Sequence, residues 1–274
     1  MRDLFVASDE LKGYTEPAFI QAGSEYVLFS ANIQNSGADR AAQIAEFVRN
    51  LLPDILILSE LKRKPATISL LEHLRRIGYN PLDLDDDTEQ SQYHVVVGSR
   101  LRCVELKVST ESLRNRLKIL RLEAHPPFEP VYVVAVYAPA YNPENLALRR
   151  RFFDDLQNAV LRRLHSTAKN AFIVGDLNIV DAVHHAHVAD FAAESAPVFS
   201  AFASTGFVDL LRRRFRREPA YTWYSPRTGE GQRLDHLFAR GKLVDHVGEV
   251  AIDHDFRICK LSDHSAITCR FRSP

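Results

Sequence analysis

No apolar run in this 274-residue chain approaches the ~20 residues needed to cross a bilayer. A membrane-spanning protein is not expected. Cysteine is scarce: Cys103, Cys259 and Cys269 are odd in number, far apart and without a C-x-x-C pair. That argues against a disulfide framework and fits a reducing compartment. Charge of one sign is also missing, since 35 Lys and Arg balance 35 Asp and Glu. Any nucleic-acid surface must therefore be local. The first 23 residues mix acids, Lys12 and Pro17 without an apolar core of signal-peptide length. No Gly/Ser/Pro-rich linker and no solenoid-length repeat divides the chain. The expectation is a cytoplasmic protein, favoured as a monomer, with a lead-in segment over 1–24 and one domain over 25–274.

A buried core is well supplied, with 46% hydrophobic against 26% charged residues. The central stretch is Phe172-Ile173-Val174-Gly175-Asp176-Leu177-Asn178. Its apolar residues suit a buried strand, and Gly175 permits a turn or a close backbone approach. Strand alternation would point Asp176 and Asn178 the same way. Other strands are predicted at Tyr26–Ser30, Ile55–Leu58, Tyr93–Val97, Arg102–Val108, Lys118–Glu123, Val131–Val136, Arg233–Phe238 and His264–Phe271. Several end on polar residues: Asn32, Ser59-Glu60, Tyr137, Asp235 and Ser262-Asp263-His264. A carboxylate one residue past four aliphatics, as at Glu60, calls for a partner or a metal.

Helical spacing predicts a helix from Asp39, the expected N-cap, to Leu52 and another over Ile68–Ile77. A long helix over Pro143–His165 would bury Leu146, Phe153, Leu156, Val160 and Leu164. Its arginines, Arg149 among them, would face solvent. Phe199, Phe202 and Phe207 read as core anchors under a short helix. The acidic run Asp83–Asp87 lacks the glycine and distal glutamate of a calcium loop and reads as a solvated turn. His184, His185 and His187 lack a regular zinc pattern and read as a variable loop. The one strongly basic stretch, Arg212–Arg217, leads into Tyr221-Thr222-Trp223-Tyr224, and arginines interleaved with aromatics suit phosphates and bases.

The polar strand ends stand in an order that resembles the endonuclease/exonuclease/phosphatase superfamily. Asn32, Glu60, Tyr137-Ala138-Pro139, Gly175-Asp176-Leu177-Asn178, Arg233-Leu234-Asp235 and Ser262-Asp263-His264 carry the resemblance, over about Tyr26 to Phe271. It implies a four-layered α/β sandwich of two mixed sheets flanked by helices. It also implies a phosphoester hydrolase that uses Mg2+, or Mn2+, held by Glu60 with Asn32 and Asp263. Asp176 would orient or deprotonate water, Asn178 and His264 would hold the phosphate, Asp235 would set the tautomer of His264, and Tyr137 would lie near the phosphate or the leaving group.

Within the superfamily, Gly206–Arg212, Tyr221–Tyr224 and Arg233–Asp235 look like exonuclease III-type DNA repair enzymes. DNA is the expected partner, with Arg213, Arg214, Arg216, Trp223 and Tyr224 as its contacts. The chain departs from that type at Gln34, Ser59, Ala140 and Gln232. Gln232 replaces a tryptophan that walls the abasic-sugar pocket, so abasic specificity is not implied. Two other functions remain in view: a phosphodiesterase or phosphatase for a small molecule or lipid head group, and a catalytically silent binding module.

Overall fold

The protein is described by a computed structural model covering residues 17–84, 92–108 and 110–274. Strands alternate with helices as far as α2, and five strands then follow before the next α-helix. The first half contains β1 (Glu25–Asn32), α1 (Ala38–Leu51), β2 (Ile55–Lys62), α2 (Pro65–Arg76), β3 (Asn80–Pro81), β4 (Tyr93–Ser99), β5 (Cys103–Leu106), β6 (Leu117–Leu122) and β7 (Val131–Tyr137). Then come α3 (Leu146–Asp155), α4 (Arg162–Thr167), β8 (Asn170–Asp176), α5 (Ala189–Ser204), β9 (Val208–Asp209) and α6 (Leu210–Arg214). The chain closes with β10 (Trp223–Tyr224), β11 (Gly231–Gln232), β12 (Asp235–Arg240), α7 (Leu243–His246), β13 (Val247–Asp253), α8 (Asp255–Ile258) and β14 (Ala266–Arg272).

Two six-stranded sheets form, ordered β13-β14-β1-β2-β4-β3 and β5-β6-β7-β8-β12-β9. Each has a central parallel pair, β1–β2 and β7–β8, and is otherwise antiparallel. Alternation explains the layers. Leu28, Ile55, Ile57 and Val95 of one sheet meet Val133, Phe172, Val174 and Leu237 of the other. Their neighbours Phe29, Leu56 and Leu58 pack outward under α1 and α2. Val134 and Ile173 pack outward under α3 and α5. Strands covered on both faces read as continuous apolar runs, which is why the sequence made them visible. The expected four-layered sandwich is what forms.

Several local expectations change. Gly37, not Asp39, occupies the N-cap of α1, and Asp39 lies in the first turn. The predicted helix over Pro143–His165 is helical but not uniform. A 3-10 turn precedes α3, and a π segment over Leu156–Leu161 joins it to α4. Arg149 is only 1% exposed; it donates to the Pro139 carbonyl at 2.9 Å and lies among the rings of Tyr141, Phe153 and Phe191. The helix over Phe199 and Phe202 is a full 16 residues. Asp85–Asp87 and most of the lead-in lie outside the described residues. Of that segment, Ala18 bridges to Leu101 and Ile20 to Ala124, and Ile20 is buried in the inter-sheet core. Among the described residues no helix is long and apolar enough to cross a membrane.

Candidate active site

Topology brings one end of every central strand to the same place. The parallel pairs β1–β2 and β7–β8 end there, and the antiparallel partners β12 and β14 begin there. Asp235 stands opposite Asp176 in register, and Tyr137 stands beside Asp176. Side-chain parity does the rest. Asn32 shares the face of Leu28, Asp176 that of Val174, Tyr137 that of Ala135, and Asp235 that of Leu237, and all of these apolar residues belong to the inter-sheet core. The site is the polar end of that core. Asn32 ties the two sheets together, since its Nδ2 donates to Glu60 Oε2 at 2.8 Å and to Asp176 Oδ2 at 2.9 Å.

Glu60 reaches this site by a break in alternation. In a regular strand it would share the outward face of Leu56 and Leu58. The β2–β4 register shifts between Leu58 and Leu61, and Glu60 has φ 60°. After this bulge Leu61 resumes the outward face, and Glu60 is turned to the end of the sheet. Asn178 is also placed by a turn. β8 ends at Asp176, the Asn178 amide donates back to Asp176 Oδ1 at 3.0 Å, and Asn178 has φ 48°. The two therefore share the cleft through an Asx turn, not through strand alternation. Asn178 Nδ2 donates to the Ala138 carbonyl at 3.0 Å, which binds this turn to the end of β7.

Gly175 permits a close backbone approach beside the site. A Cβ there would lie 2.1 Å from the Val136 carbonyl oxygen, and φ is 133°. His264 Nδ1 meets Asp235 Oδ2 at 2.7 Å with both residues buried. The amides of Leu234 and Asp235 both donate to Thr222 Oγ1, which fixes the start of β12. Asp263 accepts from Trp223 Nε1 at 3.1 Å.

The electrostatics follow from burying so many acids. Burial, then the charge of Asp235, pushes the Asp176 carboxyl up to about 8. Burial likewise raises Glu60, with the Asn32 hydrogen bond offsetting part of the effect. For His264 burial opposes the charged form, but the charge and hydrogen bond of Asp235 outweigh it and hold the imidazolium up to about 10. Burial and the charges of Glu60 and Asp176 raise Tyr137, so its hydroxyl keeps its proton at neutral pH.

Glu60, Tyr137, Asp176, Asn178, Asp263 and His264 line an open cleft of about 780 Å³. One wall is apolar: Tyr141 stacks on Phe191 with centroids 4.4 Å apart, and Val188, Leu234 and Trp223 adjoin them. Nothing in the sequence marked Tyr141, Val188 or Phe191, because they meet only through the packing of α5 against the loop after β7. Glu60, Asp176, Asp190 and Asp263 line the cleft with no Lys or Arg among its described lining residues. An oxygen-rich, acid-heavy donor set without Lys or Arg fits a hard divalent ion. Asp176, Asp235 and His264 also offer ligand atoms within 4.8 Å of one another. The Asp235–His264 hydrogen bond already engages two of those three, as the Gln34 amide engages Asn32 Oδ1 and Trp223 Nε1 engages Asp263.

Trp223 lines this cleft, but Tyr224, its neighbour on β10, faces a separate groove with Arg214. The structure does not bring Arg213, Arg214 or Arg216 to the cleft. Asp209 caps α6 and sets its direction; Arg213 donates to the Val244 carbonyl and pairs with Asp245. The histidine loop is structural in part. His184 and His185 hydrogen-bond to Asp181, and Arg212 and Arg233 pair with it. Burial opposes ionisation of Asp181, yet these partners hold its carboxyl far below the usual range.

The family model described as the endonuclease/exonuclease/phosphatase family matches residues 29–264. The chain belongs to that family. It is accordingly a hydrolase of phosphoester bonds. No curated protein matches the chain. Among solved structures, a Neisseria 3' phosphatase, NExo, bound to a product DNA hairpin is similar with TM-score 0.73 at 20% identity, over 90% of this chain and 99% of that one. An AP endonuclease from Archaeoglobus fulgidus is similar with TM-score 0.71 at 20% identity, over 90% and 99%. Truncated TDP2 from Caenorhabditis elegans is similar with TM-score 0.67 at 21% identity, over 92% and 98%. At these identities the likeness shows the shared fold of this family member.

Proposed function

We propose that this family member is a Mg2+- or Mn2+-dependent nuclease that hydrolyses phosphodiester bonds of DNA. The observation that carries the reading is the pair of buried dyads facing each other at the sheet ends. Asn32-held Asp176 and Glu60 stand on one side, and Asp235-held His264 on the other. Glu60, Asn32 and Asp263 would hold the ion, which supplies charge neutralisation to the phosphate and leaving oxygen. Asp176 in its ionised form takes a proton from the attacking water, and its raised proton affinity makes it the stronger base. The new oxygen–phosphorus bond forms as the bond to the leaving oxygen breaks. The His264 imidazolium donates to a non-bridging oxygen, and Asp235 keeps it charged and oriented. Tyr137, a neutral hydroxyl beside Glu60 and Asp176, is a donor for the phosphate or the leaving oxygen.

DNA is supported by the neighbours described as acting on it or bound to it. A second reading, a small organic phosphoester, draws on the apolar wall of Tyr141, Phe191 and Leu234, which could seat a compact body. Hydrolysis by the pure protein with Mg2+ or Mn2+, with and without chelator, separates them. The substrates are linear and supercoiled duplex, single strands, an abasic duplex and a generic phosphodiester. Chelator-sensitive cutting of DNA supports the nuclease. Turnover of the small ester alone moves the second reading ahead, and turnover of neither refutes both.

A further inference from the structure

The described lining of the cleft holds no Lys or Arg, so a polyanion must be held from outside it. The structure offers two basic surfaces, and their chemistry differs. On the Arg212–Arg217 side, two charges are already neutralised, Arg212 by Asp181 and Arg213 by Asp245. Arg214 lies over the Phe215 ring and lines a groove away from the catalytic side chains.

The other surface is built into the loops that carry the catalytic groups. Arg40 donates through Nη1 to Gln34 Oε1 at 2.9 Å and through Nη2 to the Gln34 carbonyl at 3.0 Å. The Gln34 amide in turn donates to Asn32 Oδ1 at 2.8 Å. Lys64 donates to the Asn35 carbonyl at 2.6 Å, and the Asn35 amide donates to the Glu60 carbonyl at 2.9 Å. Lys62, two residues past Glu60, sits over the Tyr93 ring at 4.4 Å, and Tyr93 meets Tyr137 edge-on. Each of the three is half-buried. Their hydrogen bonds go to neutral oxygens and their ring contact is to tyrosine, so no described carboxylate pairs with them. Arg40 is bonded to Gln34 and Lys64 to the next residue, Asn35, so the two cations flank one turn, and the charges of Arg40 and Lys62 add to burial in lowering the proton affinity of Lys64. Adjacent like charges held without counter-charges suit an extended polyanion.

We infer that Arg40, Lys62 and Lys64 form the track that holds the phosphate backbone of DNA as it enters the cleft from the Asn32–Glu60 side, and that the Arg213–Arg216 face does not. This rests on the nuclease reading above and adds the route of the substrate. Because each cation is bonded to a loop bearing Asn32, Glu60 or the Tyr93–Tyr137 pair, backbone contact and catalytic geometry are coupled.

The test is binding of a fluorescent DNA duplex to the full chain without divalent metal, by anisotropy, between about 50 and 200 mM salt. Each phosphate contact contributes about 0.9 to the slope of log affinity against log salt. Combined Arg40→Gln, Lys62→Gln and Lys64→Gln is expected to lower the slope by about 2.7, so the variant loses about 40-fold less affinity across that range. The single exchanges Arg40→Gln and Lys64→Gln should each lower it by about 0.9, which keeps the test decisive if the triple variant folds poorly. Combined Arg213→Gln, Arg214→Gln and Arg216→Gln should leave the slope as it is. An unchanged slope in the first set, or the drop appearing in the second set instead, overturns the track while leaving the nuclease reading intact. A wild-type chain with no DNA affinity overturns the nuclease reading itself, and the track with it.

Discussion

Replacing Asp235 with Asn tests the electrostatic core of the site, because it removes a charge and keeps the shape. In the folded protein Asp235 Oδ2 lies 2.7 Å from His264 Nδ1, and its charge and hydrogen bond hold the imidazole up to about 10 against burial. Moving a histidine from 6.5 to about 10 corresponds to on the order of 5 kcal/mol favouring the charged form. In Asp235→Asn that support disappears while the burial remains, so the imidazole should fall back toward its ordinary 6.5, with the charges of Asp176 and Asp263 still raising it. At about pH 8 a group at about 6.5 is protonated in only about 3% of molecules, so a full return corresponds to a loss of ~30-fold in turnover from charge state alone. The variant's rate should fall as pH rises through about 6–7, where the wild type stays level up to about pH 9 on this limb. Paired measurements check it: the pH–rate profile of metal-supported hydrolysis, and the chemical shift of the His264 ring against pH. A variant whose His264 still titrates near 10, or whose pH–rate limb coincides with the wild type, refutes the assignment of Asp235 as the group that charges His264.

The remaining predictions address the ion, the pH dependence and the backbone. Mg2+ at about 100 times its dissociation constant should stabilise the wild type by about 2.7 kcal/mol, and Glu60→Gln should abolish that thermal shift together with hydrolysis while the chain stays folded. An equal shift in both proteins removes Glu60 from the metal set. Without metal, Asp176 and His264 both have raised proton affinity in the folded state. The stability from Asp176 is full below 3.8 and lost as pH rises through about 8, and that from His264 is full below 6.5 and lost through about 10. Metal-free melting temperature should therefore decline on the alkaline side and Mg2+ should oppose the decline; a flat metal-free profile counts against the buried charges. Gly175→Ala must place a Cβ 2.1 Å from the Val136 carbonyl at φ 133°. Backbone strain and overpacking together should cost about 2–5 kcal/mol, or a drop of roughly 5–15 °C in calorimetry, and a drop under about 1 °C would show that β7 and β8 can separate cheaply.

Much of the fold was legible because of where the strands lie. Val133, Val134, Phe172 and Ile173 are covered on both faces, so each strand is an uninterrupted apolar run that stands out in the sequence. The polar residues that end those runs were visible for the same reason, since a carboxylate after four aliphatics has few bland explanations. Placing them around one cleft needed more than the runs. Alternation alone puts Ser59, not Glu60, on the face of Ile55 and Ile57. The bulge at Leu58–Leu61 that corrects this has no glycine or proline to announce it. The carboxylate after the aliphatic run marked Glu60 in the sequence, but only the motif order gave it a place at the site.

What stayed hidden depends on contacts between residues far apart in sequence. Arg149 sits in a run of three arginines on a helix with an apolar face, and its local pattern is that of a solvated side chain. It is buried because the loop after β7 returns over α3 and presents the Pro139 carbonyl and the Tyr141 ring to it. The run Arg212–Arg217 misleads in the opposite sense. Density along the chain suggested a single phosphate-binding face, but Asp181 and Asp245 arrive from other elements to neutralise two of its members. Lys62 and Lys64 flank Arg63 in a short basic run, and Arg40 joins them from another element, so a helix, a strand and a cap position supply the three. Charge that matters to a ligand is charge left uncompensated after folding, and a linear count of arginines does not measure that. The salt dependence of DNA binding does, which is why the two sets of substitutions should separate even though each removes the same number of charges.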